Sequence, residues 1–148
     1  MSDLPRATEI DTSGEPTDDF IELPHFARVV RRKRATSNGG FSFLIDLPGT
    51  TSVSEGDAFV LLDGTRIGVK AAQEQCFRVT GTNLARAAYH VGNRHAAVEF
   101  GPGYLTIIHD NTLASMLRQL GCIVSPYRGP FNPEGGAFGH GHVTGHGH

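Results

Sequence analysis

The stretch from Tyr104 to Val124, YLTIIHDNTLASMLRQLGCIV, decides how this chain of 148 residues folds. Tyr104 to His109 reads as a strand. Asp110 or Asn111 then offers a side-chain cap for a helix. Leu113, Met116, Leu117 and Leu120 recur at i, i+3, i+4 and i+7, which places them on one helical face. Gly121 is the stop signal, and Cys122-Ile123-Val124 opens another strand. The Leu/Met stripe predicts a core face rather than a functional one.

Toward the N-terminus the same logic repeats. Cys76 to Thr80 is strand-like, and Asn83 to His90 predicts a helix with Thr82 or Asn83 as cap and Gly92 or Asn93 at its end. Ala96 to Phe100 predicts a strand that turns at Gly101-Pro102-Gly103 into Tyr104. The order β-α-β-β-α-β is the split βαβ, ferredoxin-like arrangement. Its first and last strands are antiparallel neighbours. Cys76 is then expected opposite about Pro126, some four residues from Cys122, which is too far for a disulfide. Both cysteines are expected to be free thiols acting as small core hydrophobes.

Residues 20–75 read as a small β-rich, partner-binding domain. Phe41, Phe43, Ile45 and Leu47 alternate with Ser42, Leu44 and Asp46, and Pro48-Gly49 predicts a closing turn. Ala58 to Leu62, then Asp63-Gly64, then Arg66 to Ala71 predict a hairpin. The run Arg31-Arg32-Lys33-Arg34 reads either as a patch for an anionic partner or as the solvated face of an edge strand. The acidic whole favours the edge strand. Residues 1–19, rich in Asp, Glu, Ser, Thr and Pro, read as a disordered lead-in. Residues 76–134 hold the ferredoxin-like domain and residues 135–148 a flexible tail. After Tyr127 no residue is expected to bury a core.

Composition excludes several functions. With 13 basic and 15 acidic residues the net charge is -2, which argues against nucleic acid as a partner. No apolar run reaches the ~18 residues of a membrane span. Met1-Ser2-Asp3-Leu4-Pro5 does not read as a signal peptide, and two cysteines make no disulfide scaffold, so a reducing cytoplasmic location is expected. CxxC, HExxH, P-loop and GxSxG motifs are absent from the sequence, so no catalytic template is expected.

Histidine remains. Four of the eight, His140, His142, His146 and His148, lie in the Gly-rich tail. Imidazole binds zinc, copper and nickel. The Gly-interleaved spacing, unlike the contiguous run of an affinity tag, reads as a tail that captures and exchanges an ion. Imidazole must be neutral to ligate and titrates near pH 6.5 in general, so binding is expected to weaken between about pH 7 and 5.

Inside the domain stands His90-Val91-Gly92-Asn93-Arg94-His95-Ala96. It resembles the HxGNRH signature of the UreE family, the urease accessory metallochaperones. Leu84 to Tyr89 before it, Leu113 to Gly121 after it, and Pro130 to Phe138 followed by the His-bearing tail add to the resemblance. It covers residues 76–148 strongly and residues 20–75 weakly, where Leu47-Pro48-Gly49-Thr50 lacks the Arg of a family turn.

The resemblance implies an α+β chain, an N-terminal β domain joined to a ferredoxin-like metal-binding domain. It implies a chaperone, not an enzyme, that binds Ni2+ and delivers it to apo-urease with the accessory GTPase UreG. By position His95 matches the central nickel ligand, and His109 matches a secondary surface histidine whose usual companion is replaced by Asn111. His90 falls on a variable position. One imidazole cannot hold an exchangeable ion tightly, so a homodimer pairing His95 across a two-fold axis is expected, with tail imidazoles completing the shell. Zn2+ or Cu2+ are expected to bind in vitro. Two other readings compete: a protein-interaction module with a generic divalent-metal buffering tail, and a metal-dependent hydrolase. The hydrolase is disfavoured because Glu99 is the nearest downstream carboxylate and lies on the following strand.

Overall fold

A computed structural model describes residues 3–135 of the chain. They divide into two compact units, one ending at Ala71 and the other spanning Ala72–Gly135.

The first unit is a six-stranded sheet. Its strands are β1 (Arg6–Asp11), β2 (Asp19–Leu23), β3 (Val29–Thr36), β4 (Ser42–Ser52), β5 (Ala58–Leu61) and β6 (Arg66–Ala71), and a short 3₁₀ turn covers His25–Arg28. The strand order is β2-β6-β5-β1-β4-β3. Phe43, Phe59, Ile45, Ile67 and Val69 fill its core, each at most 2% exposed. The Asp63-Gly64 hairpin forms as its turn residues dictate: Gly64 takes φ +92°, and the Asp63 carboxylate accepts from the Thr65 N–H at 2.9 Å. The basic run Arg31–Arg34 lies exposed on β3, an edge strand.

Two expectations fail here. The lead-in is not disordered over its whole length. Residues 6–11 form β1, which lies inside the sheet, parallel to β4 and antiparallel to β5. Its sequence carries little apolar signal beyond Ala7 and Ile10, and it is held by backbone ladders on both sides. The pair Arg66–Asp11 and the Arg66 N–H bond to the Asp18 carboxylate at 2.9 Å pin the segment that follows. Nor does Pro48-Gly49 end a strand. The register against β3 jumps from Arg32 opposite Asp46 to Val30 opposite Thr51, so residues 47–50 bulge and β4 continues to Ser52.

The second unit runs β7 (Gln73–Thr80), α1 (Leu84–Asn93), β8 (Glu99–Gly101), β9 (Tyr104–Ile108), α2 (Asn111–Gln119) and β10 (Ile123–Pro130). This is the βαββαβ order, with sheet order β10-β7-β9-β8. The helices bury Ala87, Val91, Leu113, Ala114 and Leu117 with Phe77, Val79, Leu105 and Ile107, and Met116 and Leu120 pack against that cluster. The Leu/Met stripe is therefore core. Asn83 caps α1 through Arg86 N and Asp110 caps α2 through Leu113 N. Cys76 pairs with Tyr127, one residue from the expected Pro126, and both thiols are free.

The segment after β10 also departs from expectation. Phe131 is fully buried, and Glu134 N donates to Val98 O at 2.7 Å. β10 and β8 lie at opposite edges of the sheet. Residues 131–134 therefore cross it from edge to edge.

Candidate metal centre

His95 sits at the end of α1. Arg94 is the cap residue, His95 N donates to Gly92 O at 2.9 Å, and Ala96 N donates to Val91 O at 3.3 Å. These are the two bonds of a Schellman ending, which requires a left-handed residue at the position after the cap. Here that residue is His95, with φ 59°, the single non-glycine at positive φ among the described residues. Glycine adopts this conformation without a Cβ clash, whereas other L-residues pay roughly 1–2 kcal/mol. Gly92, expected to stop the helix, lies within its last turn. The signature Val91-Gly92-Asn93-Arg94-His95-Ala96 is thus a helix ending that spends conformational energy to hold an imidazole at a fixed, exposed place.

The other histidines stand apart in environment. His90 is half-buried in α1, edge-on to the Tyr89 ring at 5.2 Å. His109 is exposed, its N–H donating to Gln75 O at 3.1 Å and its ring stacked on Phe77 at 4.5 Å. The stacking holds the ring against an apolar side chain. Among the described residues no three His, Cys, Asp or Glu side chains group closely enough to hold a metal ion. His140, His142, His146 and His148 lie outside the described residues.

The thiols do not compensate. Burial pushes the Cys76 thiol up to about 11, with Glu74 and Glu99 adding to the shift, and Cys76 is 1% exposed. Burial also raises Cys122. Both are protonated at neutral pH, and a thiolate is what binds metal.

One functional element escaped the sequence reading. The Glu99 carboxylate accepts the Asn132 N–H at 2.9 Å, which fastens the segment after β10 to β8. Pro130 and Pro133 marked that segment as extended, but no spacing rule pairs it with Glu99.

Comparison with known proteins gives consistent matches. The UreE urease accessory protein N-terminal domain matches residues 3–72, and the C-terminal domain of the same family matches residues 74–148. The chain is 44% identical to the urease accessory protein UreE of Cereibacter sphaeroides, covering 100% of this chain and 82% of that one. It is 42% identical to the protein of that name from Ruegeria pomeroyi, over 99% of both chains. With the Rhodobacter capsulatus protein it shares 43% identity over 100% of this chain and 96% of that one.

Proposed function

Since the chain belongs to the UreE family of urease accessory proteins, we propose that it is a nickel metallochaperone. It takes up Ni(II) and releases it to apo-urease during assembly of the metallocentre, with the accessory GTPase UreG as partner, in the cytoplasm. Its role is that of an accessory protein and not of an enzyme.

The observation that carries this reading is His95. A lone exposed imidazole, held at an energetic cost and without companion ligands among the described residues, serves no structural purpose in its own chain. It becomes a site when a second copy supplies the same residue across a two-fold axis. Tyr89 and Phe100, within six residues of His95, are 65% and 53% exposed and give such a contact apolar material. His140, His142, His146 and His148 add imidazoles from the tail, and His109 is a secondary surface ligand. A half-built site suits a carrier, because an ion held by several separable imidazoles can be handed on one ligand at a time. Nitrogen donors suit nickel and do not exclude zinc or copper in vitro. The first unit is the partner-binding part. Arg6, Arg32, Arg34, Leu44 and Asp46 line an open groove of about 960 Å³ on it.

Nickel calorimetry with mass measurement on wild type and His95→Ala tests the reading. A dimer with one tight site per two chains, lost in the variant, is the expected result. Unchanged tight binding in His95→Ala, or a monomer with nickel present, would overturn it.

A further inference from the structure

We infer that residues 131–135 form a tether, and that Glu99 is a positioning residue which delivers the His-rich tail to the edge of the sheet nearest His95. The inference rests on reading His95 as a nickel ligand. It concerns how the tail finds that ligand.

β10 ends at Pro130, on the sheet edge opposite β8. Left to itself, the chain beyond would start from the far side of the domain. Three observations show that it does not. Phe131, in alternation with Tyr127 and Gly129, is fully buried although it belongs to neither apolar core. Asn132 N donates to the Glu99 carboxylate at 2.9 Å, and Glu134 N donates to Val98 O at 2.7 Å. Glu99 pairs with Thr106, so its side chain lies on the sheet face away from the core residues Leu105 and Ile107. The segment therefore crosses that face and is fixed at β8.

The consequence is a matter of reach. Val98 lies three residues after His95, so their Cα atoms are at most about 11 Å apart. From Glu134 to His140 is six residues, a span of up to about 20 Å. The first tail imidazole can meet His95 without strain. Released at Pro130, the tail would start roughly three strand spacings, about 14 Å, further away and with a longer free linker. Effective concentration falls with linker length and with the span to be bridged, so the tether raises the local concentration of tail imidazoles several-fold.

Titration of full-length chains with nickel chloride tests this. Glu99→Ala should weaken the tight site about three- to ten-fold at unchanged stoichiometry. Glu99→Gln should stay within about two-fold of wild type, because an amide oxygen still accepts the Asn132 N–H. In a chain with His140, His142, His146 and His148 all changed to Ala, adding Glu99→Ala should change nothing further. Amide exchange at Asn132 and Glu134, measured without metal, should quicken in Glu99→Ala and not in Glu99→Gln. If Glu99→Gln is as weak as Glu99→Ala, or the loss persists without the tail histidines, Glu99 acts on the metal directly and the tether is wrong. Identical titrations of wild type and His95→Ala would overturn the His95 reading and this proposal with it. Slow exchange in Glu99→Ala would instead remove the tether alone.

Discussion

The two helices of the second unit end in the same way with different residues. At α2, Gly121 has φ +90°, its N–H donates to Arg118 O at 3.0 Å, and Cys122 N donates to Leu117 O at 3.0 Å. At α1 the equivalent bonds run from His95 to Gly92 and from Ala96 to Val91. One ending uses the residue that costs least in left-handed backbone, and the other uses an imidazole. Where only the fold is at stake, glycine serves. A histidine retained in that place marks a position whose side chain is wanted for something else.

Exchanging the two endings sharpens the contrast. The largest effect is expected from His95→Gly. The tight nickel site should weaken by 100-fold or more, while the domain gains about 0.5–1 kcal/mol from the relieved backbone. Calorimetry and denaturant midpoints read both quantities, and a destabilised His95→Gly would break the comparison. The converse, Gly121→His, should cost about 1–2 kcal/mol and leave nickel binding alone. A Cβ added at Gly121 meets no atom within 4 Å, so the cost is one of backbone conformation. The helix starts offer a smaller difference. Asp110→Ala and Asn83→Ala should each lose about 1 kcal/mol in thermal unfolding. The loss should be larger for Asp110, whose carboxylate bonds at 3.0 Å against 3.3 Å and also meets the positive helix end. The smallest effect concerns pH. The Cys76 thiol is raised from 9.0 to about 11, so the unfolded chain loses this proton first. Its contribution to stability is whole below pH 9 and disappears as pH rises toward 11. Cys76→Ala should flatten the alkaline limb of the stability profile.

The same contrast explains what could be read from sequence. α2 was legible at both ends because Asp110, the apolar stripe and Gly121 each announce themselves locally. The start of α1 was legible through Asn83. Its end was not, since stop rules look for glycine and find Gly92, which is helical, while His95 takes the left-handed place. β1 was missed because neighbouring strands hold it, and no alternation of its own reveals them. The bulge at residues 47–50 and the burial of Phe131 depend in the same way on partners distant in sequence. Of the candidate site, His95 was found through a motif, whereas the strain that singles it out physically has no signature in spacing. Glu99 was passed over because its role lies in a hydrogen bond to a backbone 33 residues away.

The position of β1 has a consequence for how the protein is made. Ala7 pairs with Ile45 on one side and Leu61 on the other, 54 residues further along the chain. At about 5–20 residues per second, a ribosome needs roughly 3–11 s to produce that second neighbour. Throughout that interval the first strand synthesised is without its place, and the hairpin of β3 and β4 can form before it. The unit closes only when the early strand slots between two later ones. Its slowest step in the cell is therefore expected to be this insertion, and slowing translation between residues 45 and 61 should lengthen the time during which the nascent chain is open to proteolysis.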